Sequence, residues 1–131
     1  PYRLEMGTKI STDHGSNLYE FWGDAISKLI ARDITSSGST LLVNLASKEY
    51  AHAVSLDHMP VPSIEVRFLQ KKGSQAKFVA VHAKRARGLM ARWIAEHRPK
   101  NATDLTHFDS EGYQFNRKSS TEDTLTFVRP M

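Results

Sequence analysis

The sequence contains no cysteine, which excludes disulfide bonds, thiolate metal ligands and a thiol nucleophile. A chain without cysteine is also typical of a reducing compartment. No apolar run approaches the roughly 20 residues that a membrane-spanning helix needs, and the N-terminus lacks the apolar segment of a signal peptide. We therefore expect a cytoplasmic protein without a membrane partner.

Recognisable catalytic and cofactor motifs are also missing. There is no GxSxG nucleophile elbow, no glycine-rich phosphate loop, and no helix-turn-helix, zinc-finger or RNA-recognition signature. The histidines show neither the HExxH pattern nor the i, i+4 spacing that favours zinc. We therefore predict no metal and no cofactor, and the sequence motifs do not indicate a particular reaction.

The order of apolar patterns predicts the fold class. Strand and helix patterns follow one another without a regular βαβ series, which predicts an α/β (mixed α+β) fold with a mixed sheet packed against helices. We also expect Tyr19, Trp22 and His97 to lie in the core. The predicted elements, in chain order, are a strand at Tyr2–Ile10, a helix capped by Asn17 and ending before Thr35, a buried strand at Thr40–Leu45, a short helix from Lys48 to about Ser55, a hairpin within Ile64–Val81, a helix over Ala83–His97, a helical turn near Thr103–His107 and a final hairpin within Tyr113–Val128.

Acidic residues are nearly absent between Arg67 and Lys100. The whole chain carries 18 Lys and Arg against 14 Asp and Glu, but this stretch has ten basic residues and one acid, Glu96. Its charge is therefore +9, whereas the remaining eight basic and thirteen acidic residues give −5. A charge separation of this kind usually indicates a polyanionic partner.

The predicted helix over Ala83–His97 concentrates this charge. At about 100° per residue, its apolar side chains fall on one side. The other side carries four cations: Lys84, Arg85, Arg87 and Arg92. The hairpin turn adds Lys71 and Lys72, and together these residues predict a surface that follows phosphates. The alternative is an ordinary solvated helix face, although such faces usually mix the two signs.

A second candidate site lies at the turn between the predicted strand Thr40–Leu45 and the short helix. Backbone N–H groups at this helix start, together with Ser47 and Lys48, form a natural anion pocket. Asn44 and Glu49 are placed to orient a ligand there. On local grounds alone, plain capping of the helix by Ser47 is the favoured interpretation.

Five segments taken together resemble the YaaA family, bacterial cytoplasmic proteins associated with resistance to hydrogen peroxide. They occur in the family's order over nearly the whole chain: PYRLEMG (Pro1 to Gly7), LYEFWGD (Leu18 to Asp24), NLASKEY (Asn44 to Tyr50), KRARGLMARWI (Lys84 to Ile94) and FDSEGYQF (Phe108 to Phe115). The resemblance implies that residues 1–131 are the C-terminal half of a YaaA-like domain, partnered by a missing N-terminal half. It also implies a mixed α/β fold, a positively charged cleft, DNA binding and a link to limiting free iron.

The resemblance leaves competing functions open. The leading hypothesis is a non-enzymatic peroxide-stress protein that binds duplex or branched DNA through the six cations Lys71, Lys72, Lys84, Arg85, Arg87 and Arg92. The alternative is an enzyme acting on a nucleotide or nucleic acid, with Glu5 or Glu49 as general base. The matched polar positions imply an anion pocket built from Arg3, Asn44, Ser47, Tyr50 and Glu111. Direct iron chelation is disfavoured, because the His, Asp and Glu residues show no compact ligand spacing.

Overall fold

The computed structural model describes Asp13, Gly15 and residues 17–131, which divide into two compact units. The helical unit comprises residues 46–62 and the described residues up to Thr40. The sheet unit comprises residues 41–45 and 63–131. The strand predicted at Tyr2–Ile10 lies outside the described residues.

The helical unit is built on α1 (Leu18–Ser37), with the short helix α2 (Lys48–Ala51) and a 3-10 turn at Leu56–His58. The predicted cap is confirmed, because the side chain of Asn17 accepts a hydrogen bond of 2.9 Å from the backbone N–H of Glu20. Gly38 ends α1 in the left-handed conformation with φ of 67°, and its N–H donates to the last carbonyl groups of the helix.

The core position predicted for Trp22 is wrong, and the one predicted for Tyr19 is met only in part. Trp22 is 48% exposed rather than buried, and the Tyr19 side chain is only half-buried. The buried positions of α1 are instead Gly23, Ser27 and Ile34. Small residues allow the chain after α2 to approach the helix closely, and such contacts carry no hydrophobic signal that a periodicity argument detects.

The sheet unit contains a mixed sheet of five strands in its described residues, which confirms the predicted fold class. The strands are β1 (Leu42–Asn44), β2 (Ser63–Lys72), β3 (Gln75–Lys77), β4 (Gln114–Phe115) and β5 (Thr124–Pro130). Their order is β1-β2-β5-β4, with β3 paired to β2. The β1–β2 and β2–β5 pairs are parallel, whereas β2–β3 and β4–β5 are antiparallel as predicted. The returning strand of the first hairpin, predicted at Lys77–Val81, is instead β3 at Gln75–Lys77, because a helix already begins at Ala80. The strand expected to be buried, β1, is half-buried, and among the described strands it pairs with β2 alone.

Helices α3 (Ala80–His97) and α4 (Ala102–Leu105) complete the sheet unit. On α3, Ala86 and Met90 are fully buried and Trp93 is nearly so, which confirms the predicted packing face. They join an aromatic core made of Phe68, Phe108, Tyr113 and Phe127. His97 was expected in this core but is exposed; its ring stacks on Trp93 with centroids 4.5 Å apart. None of the helices in the described part of the chain is long and apolar enough to cross a membrane.

Candidate functional site

The outer face of α3 carries its four cations in two adjacent rows. Lys84 and Arg87 share a row with Gly88 and Ala91, since these positions are three or four residues apart. Gly88 and Ala91 are both exposed, and apart from its own helix no described residue has a heavy atom within 4 Å of a Cβ built on Gly88. The row therefore presents two cations with little side-chain bulk between them.

Arg85 and Arg92 form the second row, and both are paired with carboxylates. Arg92 Nε lies 2.9 Å from Glu96 Oε1, one helical turn further along α3. Arg85 binds Glu111, which lies in the 3-10 turn at Ser110–Gly112. Within the described part of the chain, two of the four predicted phosphate contacts of α3 are thus paired with carboxylates, and Lys84 and Arg87 are not.

Among the described residues, no carboxylate lies within ion-pair distance of Lys84, Arg87, Lys71 or Lys72. Lys71 and Lys72 end β2 and are exposed at the turn into β3. Two residues then lead from β3 into α3. We call the six predicted cations the basic surface: Lys71, Lys72, Lys84, Arg85, Arg87 and Arg92.

Glu111 is the centre of a polar cluster that also contains Arg85, Arg129, Gln70 and Tyr113. Arg85 Nε lies 3.1 and 3.0 Å from the two carboxylate oxygens, and Arg129 Nη1 lies 3.6 Å from Oε2. Arg129 Nε donates to Gln70 Oε1 at 3.1 Å, and Gln70 Nε2 donates to the Tyr113 hydroxyl at 2.6 Å. Gln70 and Tyr113 are buried, so the cluster extends from the core to the edge of the basic surface.

Arg85 holds the pKa of Glu111 below its ordinary value, chiefly by hydrogen bonding to the carboxylate; Coulomb attraction from Arg85 and Arg129 acts in the same direction, and desolvation opposes it. A lowered folded-state pKa means that the ion pair stabilises the fold above the ordinary carboxyl pKa. This stabilisation is lost as the pH falls through the lowered pKa.

We expect Glu111→Gln to reduce the acid dependence of folding. As the pH falls from the ordinary carboxyl pKa through the lowered pKa of Glu111, the wild-type chain should lose more of its unfolding free energy than the variant. The difference should be small, because Arg85 is largely exposed to solvent. Urea denaturation at a series of pH values measures the difference. If the unfolding free energies of the two proteins change with pH in the same way, the ion pair of Glu111 with Arg85 does not stabilise the fold.

The residues of the predicted anion pocket fall in different parts of the chain. Ser47 caps α2 and accepts a hydrogen bond of 3.5 Å from the N–H of Tyr50, which supports the capping interpretation. Asn44 ends β1 in the sheet unit, whereas Ser47 and Tyr50 belong to the helical unit. Arg3, like the catalytic candidate Glu5, lies outside the described residues. The shared pocket therefore stays a prediction.

Glu49, the other catalytic candidate, is held by the helical unit. The Tyr19 hydroxyl donates a hydrogen bond of 2.6 Å to Glu49 Oε1, which joins α1 to α2. Next to this contact, a cleft of about 530 Å³ is lined by Tyr19, Glu20, Asp24 and His52, among others. No group of three His, Asp or Glu residues suited to a metal ion occurs in the part of the chain that the structure describes.

Sequence reasoning missed Arg129, Gln70 and His82. Arg129 Nη2 lies 3.4 Å from His82 Nδ1, and its guanidinium lies over the Tyr113 ring at 4.9 Å. None of the three belongs to a local motif, because Gln70 and Arg129 meet only when β5 pairs with β2, and His82 reaches Arg129 from α3. The one available signal was a long polar residue, Gln70, at an inward position of an alternating strand.

Comparison with known proteins identifies the family. The family model described as "Peroxide stress protein YaaA" matches residues 1–119. A UPF0246 protein from Idiomarina loihiensis is 46% identical over 129 residues, which cover 98% of this chain and 50% of the relative. A UPF0246 protein from Phenylobacterium zucineum is 43% identical over 130 residues, 99% of this chain and 49% of the relative. The chain thus spans about half the length of the curated relatives it matches. These matches confirm the resemblance seen in the five segments, and the chain belongs to the YaaA family of peroxide stress proteins.

Proposed function

We propose that this chain is part of a cytoplasmic protein that binds DNA through its basic surface and so helps to limit iron-driven oxidative DNA damage. The observation that carries the proposal is the row of Lys84 and Arg87 on α3, which no described carboxylate pairs and whose opposite face is anchored in the core by Ala86 and Met90. A rigid helix holds these charges in place, so little order is lost when they meet a phosphate backbone.

The proposed contact is made to phosphates rather than to bases. Lysine and arginine that neutralise DNA phosphates release condensed counterions, and this release supplies most sequence-independent affinity. Gly88 and Ala91 leave room for a phosphate to approach the helix between the two cations. Lys71 and Lys72 add charge at the adjoining hairpin turn.

Such binding offers a physical route to protection. Hydrogen peroxide oxidises Fe(II) to Fe(III) and yields hydroxide and a hydroxyl radical, which reacts close to where it forms. Fe(II) is a cation and joins the counterion atmosphere of DNA, from which protein-borne cations displace it. DNA covered by the basic surface would therefore carry less iron where the radicals are formed. This protein, which belongs to a peroxide stress family, is suited to that role.

We expect Arg87→Ala to weaken DNA binding about tenfold and to lower the salt slope, the fall of log K with log salt concentration, by about 0.9. The Lys84→Ala and Arg87→Ala double variant should lower the slope by about 1.8. Fluorescence anisotropy with duplex and branched DNA over a salt series measures both quantities on the full chain.

Arg92→Ala is the matched control, because it removes the same charge from the same helix. Arg92 is engaged by Glu96, so its loss should change affinity and slope less than the loss of Arg87. If the double variant leaves both affinity and slope unchanged, the basic surface does not bind DNA.

A further inference from the structure

The carboxylate of Glu111 lies between two guanidinium groups. Arg85 contacts both of its oxygens from one side, and Arg129 Nη1 approaches Oε2 to 3.6 Å from β5. One negative charge thus meets two positive ones. His82, one turn before Arg85 on α3, lies against Arg129 and adds a further polar group to the same place.

The backbone of Glu111 is unusual for the residue it carries. Glu111 has φ of 53° and ψ of 34°, in the left-handed region that favours glycine. Arg98 is the other non-glycine residue with positive φ in the described part of the chain, and it caps the C-terminus of α3. Glu111 and Gly112, with φ of 53° and 82°, are the central residues of a turn that is closed by a hydrogen bond of 3.2 Å from the Tyr113 N–H to the Ser110 carbonyl, and this turn aims the Glu111 side chain at Arg85. Backbone strain of this kind clusters at binding and switch sites.

The two arginines differ in how firmly they are held. Arg129 is fixed by Gln70 and by the face of Tyr113, and its side chain is 22% exposed. The side chain of Arg85 is 66% exposed, and its guanidinium donates hydrogen bonds to Glu111. Arg129 is therefore a preorganised donor, and Arg85 is free to follow whichever anion Arg129 holds.

We propose that Arg85 and Arg129 form a binding site for a phosphate oxyanion, and that Glu111 occupies this site as an internal competitor in the free protein. A phosphate group presents more acceptor oxygens than a carboxylate and suits the planar fork of arginine equally well. The inference rests on the proposed function where the phosphate belongs to DNA, but the site itself requires only the oxyanion.

The test compares two variants of the full chain that remove one carboxylate each. Glu111→Gln frees Arg85 and Arg129, whereas Glu96→Gln frees Arg92 alone and changes the net charge equally. With inorganic phosphate as the probe, calorimetric titration should show about tenfold tighter binding for Glu111→Gln and little change for Glu96→Gln. Adding Arg85→Ala to Glu111→Gln should abolish the gain.

Equal phosphate affinities for the Glu111→Gln and Glu96→Gln proteins would overturn the proposal, because net charge alone would then explain any change. If Glu111→Gln fails to fold, Glu111→Gly removes the carboxylate while suiting the positive φ. The Nε–H NMR signals of Arg85 and Arg129 in the wild-type chain provide a further check, since they should shift together on addition of phosphate. Signals that stay unmoved up to high phosphate concentration count against the site.

A parallel titration with DNA separates this inference from the proposed function. Tighter DNA binding by Glu111→Gln than by Glu96→Gln would place a DNA phosphate in the site. A gain for inorganic phosphate without a gain for DNA would keep the site and assign it to a free phosphate compound. DNA binding that depends on Arg87 but responds equally to the two Gln variants would sustain the proposed function and reject the inference.

Discussion

Phe127→Ala is expected to lower the free energy of unfolding of the sheet unit by about 4 kcal/mol. Phe127 is fully buried on β5, and its ring contacts those of Phe68, Phe108 and Phe115 at centroid distances of 5.5 to 5.9 Å. Truncation removes buried apolar surface and leaves a cavity that the strands on either side of β5 keep from collapsing. Urea denaturation followed by the fluorescence of Trp93 measures the loss, in a Trp22→Phe background that leaves one tryptophan.

Phe78→Ala makes the same chemical change at a side chain that is 63% exposed. Its effect on stability should stay within about 0.5 kcal/mol, as for most surface substitutions. Similar losses for the two variants would contradict the assignment of Phe127 to the core. They would also remove the reason for treating α3 as a helix held in place by that core.

Gly23→Ala is expected to destabilise the helical unit by about 2 kcal/mol, although alanine is the better helix former. A Cβ at position 23 would lie 2.5 Å from the carbonyl oxygen of Ala53, so backbone would have to move. One turn further along α1, the hydroxyl of Ser27 accepts a hydrogen bond of 2.9 Å from the Ser55 N–H, so this bond also depends on the close approach. Thermal denaturation, with amide hydrogen exchange of residues 50–55, measures the loss.

Gly88→Ala is the matched control on α3. Outside the helix itself, no described atom lies within 4 Å of a Cβ built there, so the helix propensity of alanine should stabilise the sheet unit by about 1 kcal/mol. Destabilisation of the same size by both glycine substitutions would contradict the close approach inferred at Gly23. Comparing Gly23→Ala with Gly88→Ala therefore shows which of the two glycines is required by packing.

Most of the secondary structure was predictable because its signals are local. The cap at Asn17, the apolar spacing of α3 and the turn before β3 each involve residues within a few positions of one another. The β2–β5 pairing was not predictable, because Phe68 and Phe127 are register partners from distant parts of the chain. Trp22 was wrongly predicted to be buried, because an argument from periodicity assigns large apolar residues to the core. In α1 the small residues Gly23 and Ser27 are buried instead.

The candidate site divides in the same way. The row of cations on α3 follows from helix geometry, and the family follows from five segments that sequence comparison confirms. Asn44 belongs to the sheet unit and Ser47 to the helical unit, and the pocket predicted to contain both stays a prediction. It adds Arg129, which lies in none of the five segments.

The sequence by itself determined the mixed α/β class and the two faces of α3, because short-range periodicity carries that information, and it determined the family through the resemblance of five segments. Only the tertiary structure decided which cations are available for a partner. Arg85 is paired with Glu111 from 26 residues away, whereas Lys84 beside it is not paired with any described carboxylate. An ion pair depends on a distance of a few ångströms between side chains, and for residues so far apart in sequence that distance is set by how the sheet brings β5, the turn at Glu111 and α3 together.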